Sequence, residues 1–92
     1  MSNKIKCSHI LVKKQNEAIT VLDRIKNGEK FGKIAKELSL DSGSAKRDGN
    51  LGYFSKGKMV KEFESAAFNL QVGQISEPVK TQYGYHIIKR VG

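Results

Sequence analysis

KEFESAAFNLQVGQISEPVKTQYGYHIIK, residues 61–89, holds both kinds of periodicity that decide the fold. Phe63, Ala66, Ala67 and Leu70 recur on one helical face, which predicts a helix over about 60–70. Gly73 marks a turn, and 75–78 is a short extended piece ending at Pro78, the chain's one proline. Residues 85–91 then predict a strong final strand.

Toward the N-terminus, LGYFS (51–55) reads as a short strand, and SLDSGSAKRDGN (39–50) as a loop with room for a short tight helix. Phe31, Ile34, Ala35 and Leu38 lie at i, i+3, i+4 and i+7 and predict a helix over 31–38. An earlier helix is expected over about 16–27, with Asn16 as N-cap, Ala18, Val21, Leu22 and Ile25 as its stripe, and Gly28 beyond its end. Residues 5–12 alternate as a strand, with Ile5, Cys7, His9 and Leu11 on one face and Lys6, Ser8, Ile10 and Val12 on the other. Strand, helices, strand, helix and strands in that order suggest α+β or α/β packing about one twisted sheet.

The 92 residues suffice for one domain, 1–92, and not for two. Charged residues make up 28% of the chain and the net charge is +8, but fourteen of the 17 basic residues are Lys. Such a surface attracts acidic partners diffusely, whereas bidentate reading of phosphates or bases favours Arg. With Arg scarce and no aromatics alternating with the basic residues on a strand, nucleic acid is a poor fit. Cys7 stands alone, so no intrachain disulfide forms. With no apolar run long enough for a signal peptide or a membrane span, a soluble, cytoplasmic monomer is expected. There is no CxxC, HExxH or Walker-type loop. Two histidines without a third ligand argue against a metal, and no cofactor is expected.

CSHILVK (7–13), GSAKRDGNLGYFSKGKM (43–59) and KEFESAAFNLQVGQISEPVKTQYGYHIIK (61–89) together resemble the parvulin family of peptidyl-prolyl cis/trans isomerases, most closely its small stand-alone prokaryotic members. The resemblance implies an α+β fold, a four-stranded and largely antiparallel sheet wrapped by about four helices in β-α-α-α-β-α-β-β order. It implies rotation about X–Pro bonds of polypeptide substrates, with a non-catalytic proline-peptide-binding or holdase module as the alternative. It places the family's two central histidines on His9 and His86, the Cys-or-Asp position on Asp41 with Ser42 as a neighbouring alternative, and a small hydroxyl residue on Thr81. The proline pocket falls on Leu51, Met59, Phe63 and Tyr83. Spacing alone reads Met59 and Phe63 as core, since they share one helical face. Phosphate-reading parvulins carry an arginine-rich loop after the first strand; here Val12-Lys13-Lys14-Gln15-Asn16 enters the helix directly. Unphosphorylated substrates are therefore expected, best with an apolar or bulky residue before proline, while Lys13 and Lys14 favour acidic residues there.

Lys26, Lys30, Lys33 and Lys36 cluster across the end of the first helix and along the second, whose apolar stripe lies on the other side, and are expected to face water. They form either a solvated face or a docking patch for an anionic membrane surface or another polyanion, which would add peripheral membrane association.

Overall fold

The structure, a computed structural model, describes residues 3–92. Lys4–Val12 forms strand β1, whose alternation sends Ile5 and Cys7 into one core and Ile10 and Val12 into another. There follow α1 (Gln15–Lys26), α2 (Phe31–Leu38), α3 (Ser42–Ala45), β2 (Asn50–Ser55), α4 (Lys61–Phe68), β3 (Val79–Thr81) and β4 (Gly84–Arg90). Among the described residues the strands make one antiparallel sheet in the order β2-β1-β4-β3. This is the α+β architecture and element order that the resemblance implied.

β1 and β4 take the centre because both are apolar on both faces. Ile10, Val12 and Ile87 pack against Ala18, Val21 and Leu22 of α1 and Phe31, Ile34 and Ala35 of α2. Ile5, Cys7 and Ile88 pack on the opposite face with Phe54, Phe63, Ala67 and Leu70. Ile10, Ile34, Ile87 and Ile88 are fully buried, each contributing roughly 1.5–3 kcal/mol. The Cα radius of gyration, 12.0 Å, is that of one folded unit of this length.

Two local expectations are corrected. The N-cap of α1 is Lys14 and not Asn16, because the Glu17 carboxylate accepts the Lys14 N–H at 2.8 Å and starts the helix two residues earlier. Leu38, expected on the buried face, ends α2 37% exposed, lining a concavity with Val12 of β1 and Thr20 of α1. The third strand, Val79–Thr81, follows Pro78, and the extended 75–78 stretch lies along β4 through an isolated bridge from Ile75 to Lys89 and a Ser76 N–H that donates to Ile88 O at 2.8 Å. Proline lacks the N–H a ladder needs.

The segment between α2 and β2 is strapped to β1. Pairing of β1 with β2 shifts register between Cys7 and Ser8. Beyond that point the chain before β2 takes over as neighbour: His9 N–H donates to Gly49 O, Leu40 N–H to Leu11 O, and Leu11 N–H to Ser39 Oγ. Gly49 has φ +85°, and a Cβ there would lie 2.5 Å from the His9 carbonyl oxygen. Only glycine lets the strap approach this closely.

Candidate active site

His9 pairs with Ile88 across β1 and β4, and Leu11 pairs with His86. The two histidines are thus diagonal neighbours on one sheet face, within reach of each other's side chains. Their Nδ1 atoms lie 3.0 Å apart. His9 Nε2 is 2.8 Å from Asp41 Oδ2, and His86 Nε2 is 2.7 Å from Thr81 Oγ1. The strap places Asp41 here, and the β3–β4 turn places Thr81. Ser44 Oγ donates to Asp41 Oδ2 at 2.7 Å, and Tyr83 N–H donates to Thr81 Oγ1 at 3.2 Å. Ser44, His9, His86 and Thr81 are all buried.

Burial pushes both imidazoles below the usual histidine value. His86 falls to about 4, with His9 adding to the effect. His9 moves the same way, although its hydrogen bond to Asp41 and that residue's charge oppose the shift. The Asp41 carboxyl is held below its ordinary range, first by the Ser44 hydroxyl and then by His9. At neutral pH both rings are neutral and Asp41 is ionised.

These states fix the direction of every bond. An ionised carboxylate only accepts, so His9 carries its proton on Nε2 and offers Nδ1 as an acceptor. His86 then donates from Nδ1, and its bare Nε2 accepts the Thr81 hydroxyl proton. A one-way relay runs from Tyr83 N–H through Thr81, His86 and His9 to Asp41. Every ring nitrogen is committed, so the histidines hold the site together and have no free position for donating to or ligating a guest.

Phe63 of α4 stands edge-on to both rings, at centroid distances of 5.6 Å to His9 and 5.2 Å to His86. It lines a cavity of about 200 Å³ together with Lys58, Met59, Val60, Tyr83 and His86. Met59, Phe63 and Tyr83 are therefore brought together as the resemblance placed them. Leu51 is not among the lining residues; it packs half-buried against the core that contains Phe63. Ser42 is exposed at the start of α3, leaving Asp41 as the residue that reaches His9. Sequence reasoning missed Ser44, which the Asp41-x-x-Ser44 spacing offers as a partner, and also Val60 and Lys58. Lys13 and Lys14 flank the start of α1 and do not line the cavity.

The family model for the rotamases, the PPIC-type PPIASE domain, matches residues 9–92. The chain belongs to the PPIC-type PPIase family. This PPIC-type domain is 71% identical to NmPin, the parvuline of Nitrosopumilus maritimus, with a TM-score of 0.90 over 100% of this chain and 99% of that one. To CsPin from the psychrophilic archaeon Cenarcheaum symbiosum it is 73% identical, with a TM-score of 0.87 over 100% and 95%. It is also 59% identical to the foldase protein PrsA of Geobacillus kaustophilus, covering 94% of this chain and 31% of that protein. The chain thus spans about a third of the length of its curated foldase relatives.

Proposed function

We propose that this PPIC-type domain accelerates cis/trans rotation about X–Pro bonds in unphosphorylated polypeptides and so assists their folding. The carrying observation is the apolar cavity that Phe63 and Met59 form against His86, the neutral inner member of a saturated relay. Rotation faces a barrier of about 18–20 kcal/mol because the planar amide is stabilised by charge-separated resonance. A proline ring seated on Met59, Val60 and Phe63 loses water, which weakens that polar planar form relative to the twisted, less polar one. A neutral His86 keeps the floor free of charge, and the relay stops it from swinging. His9, His86, Asp41 and Thr81 act in this reading by holding the site rigid, and Met59, Phe63 and Tyr83 by holding proline. Exchange spectroscopy on an Ala–Pro peptide tests it. Acceleration is expected without any requirement for a phosphoserine before proline. Saturable binding without acceleration would make the domain a holdase, and neither effect would remove the function.

The exposed lysines Lys26, Lys30, Lys33 and Lys36 support a peripheral contact with an anionic membrane surface. Lys30, Lys33 and Lys36 line a shallow concavity with Gly32 and Asp48. Lys36 already pairs with Asp48 at 3.2 Å. Arg24 binds Glu29 and Glu37 at 2.7 and 3.0 Å, so the acids nearest Lys33 are neutralised by another cation. Each lysine near such a surface is worth about 1 kcal/mol. No helix among the described residues is long and apolar enough to cross a membrane.

A further inference from the structure

Lys58 is the one charged residue lining the proline-sized cavity; its other walls are Met59, Val60, Phe63, Tyr83 and His86. Its ammonium has no ion pair or hydrogen bond among the described residues. Lys36, by contrast, pairs with Asp48, and Lys56 and Lys6 lie over the Phe68 and Tyr53 rings; what sets Lys58 apart is its place on the cavity wall. The turn that carries Lys58 is held in place. Gly57, at φ +94°, donates its N–H to Glu64 Oε1 of α4 at 2.6 Å, and Lys58 N–H donates to Ser55 O at 3.4 Å. The Glu64 carboxylate is thus occupied in fastening the turn.

We infer that Lys58 is a specificity residue that selects polypeptides bearing a carboxylate side chain next to the proline. This rests on the isomerase reading above, because the cavity must seat the proline ring for Lys58 to meet its neighbour. A ring lying on Met59 and Phe63 fills the apolar part of the site and leaves the flanking side chain beside an unpaired cation. A Glu or Asp there gains a partner, and a Lys or Arg meets a like charge. The Lys13 and Lys14 pair, which sequence alone offers for the same preference, lies off the cavity wall.

The test uses short peptides of an Ala-Ala-Pro-Ala frame carrying Glu or Lys either before or after the proline, so that its arms identify the side that Lys58 reads. Both kcat/KM by exchange spectroscopy and Kd by titration are measured, for the full chain and for Lys58→Gln, Lys58→Glu and Lys13→Gln. Lys58 is exposed, so its variants keep the fold. On one side of the proline the Glu peptide is expected to exceed the Ala peptide about twofold to fivefold, the scale of an exposed ion pair. That ratio falls to about one in Lys58→Gln, inverts toward the Lys peptide in Lys58→Glu, and persists in Lys13→Gln. An equal loss in Lys58→Gln and Lys13→Gln assigns the preference to diffuse net charge and overturns the proposal, as does equal handling of all peptides by the unaltered chain. If no peptide is accelerated, the isomerase reading fails separately, and the Kd ratios still decide the role of Lys58.

Discussion

Acidification from about pH 7 to pH 4.5 isolates the histidine pair, because the sequence contains only His9 and His86. His86 is buried neutral, with its value moved from 6.5 to about 4. In the unfolded chain it binds a proton near 6.5, so between those values the unfolded state holds more protons. Stability is therefore fully present above pH 6.5 and is lost as the pH falls toward 4. The difference is worth about 3 kcal/mol for His86 at full extent, and His9 adds in the same direction. Asp41, Glu29 and Glu37, all held below their ordinary values of 3.8 and 4.5, also lose their contributions on acidification, but only from the lower edge of this window downward. A domain of this size has about 5–14 kcal/mol in total, so the loss is a large share. Urea midpoints across the window should fall steadily, and the melting temperature should drop by about 10–20 °C. Nitrogen-15 spectra of the imidazoles should meanwhile show neutral rings, with the proton on Nε2 of His9 and on Nδ1 of His86. A folded protein with an imidazolium His86 at pH 6, or midpoints that stay flat to pH 4.5, would refute the relay as described.

Thr81→Val keeps the shape but leaves His86 Nε2 without its donor; a loss of about 1–3 kcal/mol is expected in urea melts, with a changed His86 tautomer by NMR. Phe63→Ala should lower both stability, by about 3–5 kcal/mol, and peptide affinity, since Phe63 is buried and also lines the cavity. Tyr83→Ala, at a 61% exposed site, should weaken peptide binding while shifting stability by less than about 0.5 kcal/mol. Gly49→Ala forces a side chain against the His9 carbonyl at positive φ; more than about 1 kcal/mol is lost and the His9 ring signals move. Lys30, Lys33 and Lys36 changed together to Glu should abolish sedimentation with anionic vesicles while peptide turnover continues, and unchanged sedimentation would count against that surface.

The central strands were legible because Ile10-Leu11-Val12 in β1 and Ile87-Ile88 in β4 are consecutive apolar residues, which a doubly covered strand needs. The limits of α2 were legible from its stripe, and the meeting of His9 with His86 follows once those strands pair. The strap was not. Ser39, Leu40 and Gly49 hold β1 through backbone groups and one hydroxyl, which leave no hydrophobic period. Ser44 escaped for the same reason, its hydroxyl being read as loop polarity. Lys58 escaped because its meaning depends on a turn fastened by Glu64, seven residues from Gly57. Asn16 misled because capping preference counts side chains and not the carboxylate that reaches back to Lys14.

The strap also bears on how much this loop can vary in length. It is anchored at Leu40 on one side and Gly49 on the other, and Asp41 lies one residue inside the first anchor. Ser44 and Ala45 are buried, whereas Lys46, Arg47 and Asp48 face water. Their backbone is nonetheless tied inward: Arg47 N–H and Gly49 N–H donate to Ser44 O, and Asp48 N–H donates to Ala45 O, so residues inserted among those three would have to rebuild the turn that sets Gly49 against His9. The carboxylate is thereby coupled to loop length, because the residue that closes this turn, Ser44, is also the one whose hydroxyl holds Asp41.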